Sequence, residues 1–307
     1  MADLTGALVV VTGGGAGVGR ALALEATRRG ARILIASISN PSESIELIRA
    51  AGGQASWFKT DVADYNAMVA LAKYAREEHG GANILINNAA GSIETGSLQE
   101  SAPDKVKRMF EINVLGVFNG IHAFAPDLIA SAAAGKPAHI LNVGSEHSLG
   151  VPPHVQAFSA YTVSKYATLG FTDVARRDFE GTGVNVALLA PGWVLTEKVS
   201  NAIDSSSHAR AAIEPYAQTG EEVAYLAIKG LLDGQYIIAT NPASRAFALE
   251  HAREVMAEVQ RLPLTDITDT SHAHDGTGDP SKCPVPHNLF SLPGTASAPQ
   301  PTESAGR

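Results

Sequence analysis

A single cysteine, Cys283, stands among 307 residues, so no intrachain disulfide framework can form, and the chain suits a reducing compartment. Basic residues are outnumbered, with 23 Lys and Arg against 31 Asp and Glu for a formal net charge of −8. No lysine or arginine block stands out, which excludes nucleic acid as the expected main partner. The start, Met1 to Thr12, carries no basic region and only a short apolar run, Leu8 to Val11, so no secretory signal is readable. No uncharged apolar stretch has the length of a bilayer span, so no membrane partner is expected. A soluble cytoplasmic protein follows as the expectation. Charged residues are 18% and apolar residues 45%, a balance that argues against wholesale disorder.

What is present is alternation. From Ala7 to about Leu262, short β-branched runs alternate with longer segments of helical period, which predicts an α/β fold with a mainly parallel seven-stranded sheet, doubly wound with helices on both faces. The predicted strands are Ala7–Val11, Arg32–Ala36, Ser56–Lys59, Ile84–Asn87, His139–Val143, Asn185–Ala190 and Tyr236–Ala239. Most are nearly continuous apolar runs, as expected of strands covered on both sides. The predicted helices are Val18–Arg29, Pro41–Ala51, Asp64–His79, Pro103–Ala132, Ala157–Glu180, Glu221–Asp233 and a further one near Pro242–Arg261. Glycines close several of them: Gly30, Gly52, Gly80 and Gly181.

After Leu262 the composition turns to proline, glycine, serine and threonine. Residues 1–262 are therefore expected to form one domain and residues 263–307 an extended or disordered tail, in which "PVPHNLFSLP" could dock on a neighbour. His272, His274, Cys283 and His287 are ligand types in that tail, but their spacing matches no compact finger, and no metal site is expected.

The first strand runs into Thr12-Gly13-Gly14-Gly15-Ala16-Gly17-Val18-Gly19-Arg20, and a helix follows at once. A strand, a glycine-rich turn and a helix start form a phosphate site, because bare backbone can approach a pyrophosphate while unpaired N–H groups and the helix dipole face it. The G-x-G-x-x-G spacing fails at Val18; the pattern that fits is T-G-x-x-x-G-x-G, on Thr12, Gly13, Gly17 and Gly19. After the second strand, Ala36-Ser37-Ile38-Ser39-Asn40 offers no carboxylate for the ribose diol of NAD and no arginine for a 2′-phosphate. Ser37, Ser39 and Asn40 can donate hydrogen bonds to a phosphate that nothing repels, which favours NADP within an NAD(P) site. Asp61 and Val62, in "TDVAD" after the third strand, are placed to meet adenine, while Asp64 supplies the following helix cap. Asn87-Asn88-Ala89-Ala90-Gly91 ends the fourth strand beside the same crevice.

Tyr161 and Lys165 lie four residues apart, hence on one helical face. A nearby ammonium stabilises phenolate and is expected to lower a tyrosine pKa from about 10 toward neutrality, as proton exchange with an alcohol requires. Asn142-Val143-Gly144-Ser145 ends the fifth strand at the carboxyl edge, where Ser145 could donate to a substrate carbonyl oxygen. Asn113, in "FEINVLG", sits mid-helix, where asparagine is a poor helix former. It either bonds within the helix bundle or holds a water that links the lysine to solvent.

With these residues in order, and with Pro191-Gly192-Trp193-Val194-Leu195-Thr196 following the sixth strand, residues 3–262 resemble the short-chain dehydrogenase/reductase (SDR) family. The resemblance implies a Rossmann fold and an NAD(P)-dependent oxidoreductase interconverting a secondary alcohol and a ketone. It implies Tyr161 as general acid/base, and Lys165 lowering its pKa and binding the nicotinamide ribose. Ser145 would polarise the substrate oxygen and Asn113 would support the proton relay. Pro191, Gly192, Val194 and Thr196 would hold the nicotinamide end, with Asn88 and Ala89 lining the crevice. Homodimers or homotetramers built on the helices of Pro103–Ala132 and Ala157–Glu180 are implied as well, and Met109, Ile112, Val117, Phe118 and Ile121 suggest burial of more than one helix face.

Two departures concern the site. "NNAAG" replaces NNAG, and Ser145 lies 16 positions before Tyr161, more than is usual. Ser148 sits at the usual interval and is a rival, but Ser145 falls three after Asn142 in N-x-G-S and is preferred. The enlarged loop and the segment after Trp193 are expected to line the substrate pocket with Val151, Pro152, Pro153, His154, Phe158, Trp193, Ile203, Ile213 and Tyr216. That lining suits a medium-sized apolar ketone or secondary alcohol, and no arginine fork is evident for a carboxylate or phosphate. Ala202–Gln218 is a candidate lid by position, and His147 and His154 read as solvated loop histidines. A non-catalytic NAD(P)-sensing protein and a lyase on the same scaffold are the competing classes. Intact Asn113, Ser145, Tyr161 and Lys165 argue against the first, and the glycine-rich site against the second.

Overall fold

A computed structural model describes residues 4–91, 96–153 and 158–261. The tail 263–307, with its docking segment and its His/Cys quartet, lies outside the described residues, as does His154. The chain divides into two compact units, 1–255 and 256–307; of the second, only the end of the last helix is described.

In chain order the first half consists of β1 (Leu8–Thr12), α1 (Gly17–Arg28), β2 (Arg32–Ser37), α2 (Ser42–Ala50), β3 (Gln54–Lys59), α3 (Tyr65–His79), β4 (Ile84–Asn87), α4 (Pro103–Phe110), a π-helical turn (Glu111–Leu115) and α5 (Gly116–Ala133). The second half consists of β5 (His139–Val143), a 3₁₀ turn (Glu146–Ser148), α6 (Ser159–Asp178), β6 (Asn185–Leu189), β7 (Val194–Leu195), α7 (Glu197–Ser205), α8 (Ser207–Ile213), β8 (Gln218–Thr219), α9 (Gly220–Leu232), β9 (Ile237–Ile238) and α10 (Pro242–Gln260).

Seven strands form one parallel sheet in the order β3-β2-β1-β4-β5-β6-β9, and β7 pairs with β8 in a separate ribbon. The chain winds outward from β1 to β3 and then crosses back to β4 on the other side of β1. That reversal opens a crevice beyond the carboxyl ends of β1 and β4, the position at which doubly wound sheets receive ligands.

The continuous apolar strands have a simple cause. Val9, Val11, Ile33 and Ile35 point to one face, against Leu22 and Ala26 of α1 and Ala227 and Ile228 of α9. Leu8, Val10 and Leu34 point to the other, against Met68 and Leu71 of α3 and Phe124 and Leu128 of α5. Each residue must be apolar because both faces are covered, and each such burial contributes about 1.5–3 kcal/mol. Asp64 caps α3 by accepting hydrogen bonds from Asn66 N at 2.9 Å and Ala67 N at 3.3 Å, and Gly80 ends that helix with φ +82°.

The helix predicted over Pro103–Ala132 runs on to Ala133, with a π turn inside it that contains Asn113. The run 103–133 is long and apolar enough to cross a bilayer by length and composition, but half of its apolar window is buried inside the protein, as in a core helix. The candidate lid, Ala202–Gln218, takes in the end of α7, all of α8, a 3₁₀ turn at Glu214–Tyr216 and the start of β8. Neither helix exceeds nine residues, too few for a periodic signal to emerge.

Candidate active site

The glycine turn between β1 and α1 is shaped by close approaches. A Cβ on Gly13 would stand 2.9 Å from Ala89 Cα, and one on Gly19 would stand 2.4 Å from Asn88 Nδ2 and 2.5 Å from Gly13 O. These positions therefore exclude side chains, leaving bare backbone at the head of α1. Asn88 Nδ2 donates to Thr12 O at 2.9 Å and Gly13 O at 3.2 Å, which locks the crossover from β4 onto the turn. Thr12 was expected among the cofactor contacts. Its hydroxyl instead accepts from Asn88 N and Ala89 N at 2.9 and 3.0 Å and donates to Ile86 O at 3.3 Å, with only 2% of the residue exposed. It builds the crevice rather than facing it.

The residues fit a dinucleotide. The Gly17 N–H, at the first position of α1, donates to a carboxylate oxygen of Glu197 at 3.2 Å, and the other oxygen of Glu197 accepts from Arg20 at 2.6 Å. An intramolecular anion thus occupies the kind of seat a pyrophosphate needs. Gly17, Thr196 and Glu197 line a cavity of about 410 Å³ at this point. Thr196 also caps α7 through Val199 N, and its methyl lies 3.1 Å from where a Gly17 Cβ would stand. Val18 follows as a partly buried residue of α1.

At the adenosine end the expected donors are partly committed. The Ser37 hydroxyl donates to Ser39 O at 2.7 Å, while Ser39 and Asn40 are exposed. Arg20 binds Glu43, Ser44, Gly15 O and Glu197. Asp61 was expected to present its carboxylate to adenine; it accepts from Arg108 at 2.6 Å and from Ala63 N at 3.0 Å. Partial burial pushes its pKa up, but these hydrogen bonds and the guanidinium charge together hold it below the usual value. Val62 is 6% exposed and packs where a Cβ on Gly116 would intrude, 2.7 Å away.

Tyr161, Lys165 and Ser145 converge at the carboxyl edge of β5. Ser145 follows β5 directly and Tyr161 lies in the first turn of α6, where the serine hydroxyl favours ionisation of the phenol. Lys165 Nζ donates to Val143 O at 2.9 Å and stands 5.6 Å from the Tyr161 ring centre. The expected lowering of the phenol pKa is reversed. Withdrawal from water pushes Tyr161 up to about 12; the Ser145 hydroxyl opposes this, and the Glu146 carboxylate adds to it. The same withdrawal brings Lys165 down to about 8.

Asn113 donates to Ser164 Oγ at 3.0 Å and accepts from Gly91 N at 2.8 Å, and Ser164 Oγ donates to Tyr161 O at 2.7 Å. Its amide thus ties the π turn to α6 and to the end of the β4 crossover. Ser148 is fully buried, and its hydroxyl accepts from Ser145 N at 3.2 Å, so the structure uses it to hold the turn that carries Ser145. Pro191 O accepts from Glu146 N at 2.8 Å, and Gly192 leaves room for Ser244, whose Oγ would lie 2.9 Å from a Cβ there. Val194 is buried and pairs with Gln218.

His147 was expected to be solvated and is 5% exposed. Its Nδ1 lies 2.8 Å from Thr162 Oγ1, whose own hydrogen is directed to Phe158 O at 2.9 Å, so this network assigns the proton to Nδ1. The imidazole meets the Tyr161 ring edge-on at 5.3 Å between centres, and Phe158 stands edge-on to both Tyr161 and Trp193. Of the other expected lining residues, Pro152, Ile203 and Ile213 are buried, whereas Val151, Pro153 and Tyr216 are exposed.

A sequence profile described as short chain dehydrogenase matches residues 7–206. The chain belongs to the short-chain dehydrogenase family. Mycobacterium tuberculosis EphD, named as an oxidoreductase, is 35% identical over 195 residues, 63% of this chain but only 32% of its own length, so the chain spans about a third of that relative. The 2,5-dichloro-2,5-cyclohexadiene-1,4-diol dehydrogenase of Sphingobium indicum is 32% identical over 217 residues, covering 70% of this chain and 82% of that one. Among solved structures, a short-chain dehydrogenase/reductase from Burkholderia phymatum in complex with NAD superimposes with TM-score 0.73 at 27% identity, over 86% of this chain and 98% of that one. The Pseudomonas aeruginosa RhlG/NADP active-site complex gives TM-score 0.70 at 25% identity, over 77% and 95%.

Proposed function

We propose that the protein is an NAD(P)-dependent oxidoreductase that interconverts a secondary alcohol and a ketone on a medium-sized, mostly apolar substrate. One observation carries this reading: the Tyr161 phenol with the buried Lys165 ammonium one helical turn away, 5.6 Å from its ring centre and held on Val143 O at the end of β5, beside a side-chain-free glycine turn. Gly13, Gly17, Val18 and Gly19 would hold the pyrophosphate, and Asn88 and Ala89 would wall the crevice. Pro191, Gly192, Val194 and Thr196 would hold the nicotinamide end, and Lys165 its ribose. Asp61 reaches adenine only by sharing its carboxylate with Arg108. With no carboxylate in residues 37–40, nothing repels a 2′-phosphate, and Ser39 and Asn40 are open to it, so NADP is the preferred cofactor of this reading.

When bound, the cofactor donates or accepts the hydride at its nicotinamide ring. In reduction Tyr161 gives its phenolic proton to the substrate oxygen, completing the alcohol, and recovers a proton from solvent; in oxidation it takes that proton back. Ser145 donates a hydrogen bond to the same oxygen as negative charge develops there. Lys165, while protonated, stabilises the phenolate that each turnover forms. Asn113 fixes α6 against the crevice, which holds Tyr161 in register. Phe158, Trp193 and His147 give the site an aromatic wall, and the kinship with a cyclohexadiene diol dehydrogenase agrees with an apolar ring substrate. Leu115, Phe118, Val163 and Val174 expose apolar surface on α6 and on the run from the π turn into α5, which suits a homodimer or homotetramer.

The test is titration of the intact protein with NADPH and NADH, followed by a panel of cyclic and linear ketones with nicotinamide absorbance as readout. Tighter NADPH binding and consumption with apolar ketones are expected. Absence of binding, or no turnover in either direction across the panel, rejects the reading.

A further inference from the structure

The adenosine end of the crevice carries a cation that neither the glycine turn nor the catalytic residues account for. In a doubly wound dinucleotide fold a carboxylate at the end of the second strand holds the ribose diol of NAD. Here β2 ends on Ser37, a hydroxyl. In the parallel register of β2 with β3, Ser37 stands opposite Lys59, the last residue of β3. Adjacent strands lie about 4.8 Å apart, so the four-carbon arm of Lys59 spans the distance to a group seated over Ser37.

The arm is on the face this requires. Side chains alternate along a strand, and Ala55 and Trp57 pack on the sheet face covered by α1, so Lys59 shares that face. Ser37 follows Ile33 and Ile35 onto the same face. The chain from Ser39 to Pro41 then enters α2, whose Ile45 and Ile48 pack there as well. The two strand ends are clamped together, because Ser37 O accepts from Trp57 Nε1 at 3.2 Å and from Thr60 N at 3.0 Å.

The charge is uncompensated. Lys59 is exposed, and among the described residues no carboxylate pairs with it. The carboxylates that flank this end of the crevice are engaged with other cations: Glu43, in the first turn of α2, with Arg20 at 2.8 Å, and Asp61, two residues after Lys59, with Arg108 at 2.6 Å. An open ammonium, with a hydroxyl in place of the carboxylate one strand away, is complementary to a phosphate and adds nothing to the binding of a neutral diol.

We propose that Lys59 is the specificity-determining residue for the cofactor: its ammonium receives the 2′-phosphate of NADP, beside the exposed Ser39 and Asn40. The proposal rests on the reading of the crevice as an NADP seat and names the charge that makes it one.

The test measures NADPH and NADH affinities of the full chain by nicotinamide fluorescence, at low and at physiological salt. Wild type should bind NADPH more tightly, and Lys59→Met should cut the NADPH-over-NADH ratio about 10-fold, the worth of one charge-assisted hydrogen bond. Lys59→Arg should keep most of the ratio, and added salt should shrink it more in wild type than in Lys59→Met. Lys136→Met removes an equal charge from the exposed turn before β5, at the opposite edge of the sheet, and should leave the ratio unchanged. An equal fall in the Lys59 and Lys136 variants would reduce the effect to long-range attraction and overturn the proposal. A wild-type preference for NADPH that survives Lys59→Met removes the role of Lys59 alone and leaves the NADP reading standing. Wild type that binds NADH as tightly as NADPH shows instead that the NADP reading has failed, and the proposal with it.

Discussion

Tyr161 and Lys165 are moved in opposite directions by one cause, because withdrawal from water disfavours phenolate and ammonium alike. The phenol is therefore the stable form at neutral pH, which suits a donor of protons to a carbonyl more than an acceptor from an alcohol. Ser145 and Ser148 divide the work on one short turn. Ser145→Ala should lower turnover about 10²- to 10³-fold with little change in stability, because it removes a donor at the reacting oxygen. Ser148→Ala should instead cost about 1–3 kcal/mol of stability by leaving the buried Ser145 N–H without its partner. Steady-state kinetics and denaturant unfolding of the two variants check this; a reversed pattern would exchange the two roles. The four-residue spacing of Tyr161 and Lys165 was readable because a helix has a fixed period. The interval to Tyr161 pointed to Ser148, because an enlarged loop breaks it, whereas the position three after Asn142 pointed to Ser145, and the hydrogen bond from Ser145 N to Ser148 Oγ gives Ser148 a structural part in the turn.

Elements locate the site through their ends. β1, β4, β5 and β6 all finish on the same edge, and each delivers one part: the glycine turn, Asn88, Ser145 and Pro191. Those strands were legible because burial on both faces requires unbroken apolar runs. α7 and α8 were not, and neither was the contact by which Glu197, 180 residues along the chain, reaches the Gly17 N–H. No local pattern reports a partner so distant. Because Glu197 holds the seat that a pyrophosphate would take, Glu197→Ala should bind NADPH roughly 2- to 5-fold more tightly at low salt, the worth of an anion at a helix N-terminus. Fluorescence titration measures this, and weaker binding in the variant would show that Glu197 supports the cofactor seat instead of competing for it. The π turn inside the long helix has a similar lesson, since Asn113 was visible as a poor helix former but the wider turn around it was not.

At the scale of the molecule, a parallel sheet with two covered faces leaves its carboxyl edge as the place where polar side chains can gather, and the family's motif residues gather there. Composition and periodicity made that frame legible. The buried pairing of Glu146 with Ser244 depends on how α10 returns to the sheet, which periodicity does not encode. The central claim is that Tyr161 exchanges the proton while the rest of the site binds cofactor and substrate. It is tested most directly by Tyr161→Phe, with NADPH affinity measured by nicotinamide fluorescence and turnover by absorbance on the same preparation. Affinity within about twofold of wild type with turnover reduced by at least 10²-fold is the predicted result. Turnover close to wild type in that variant would contradict the account.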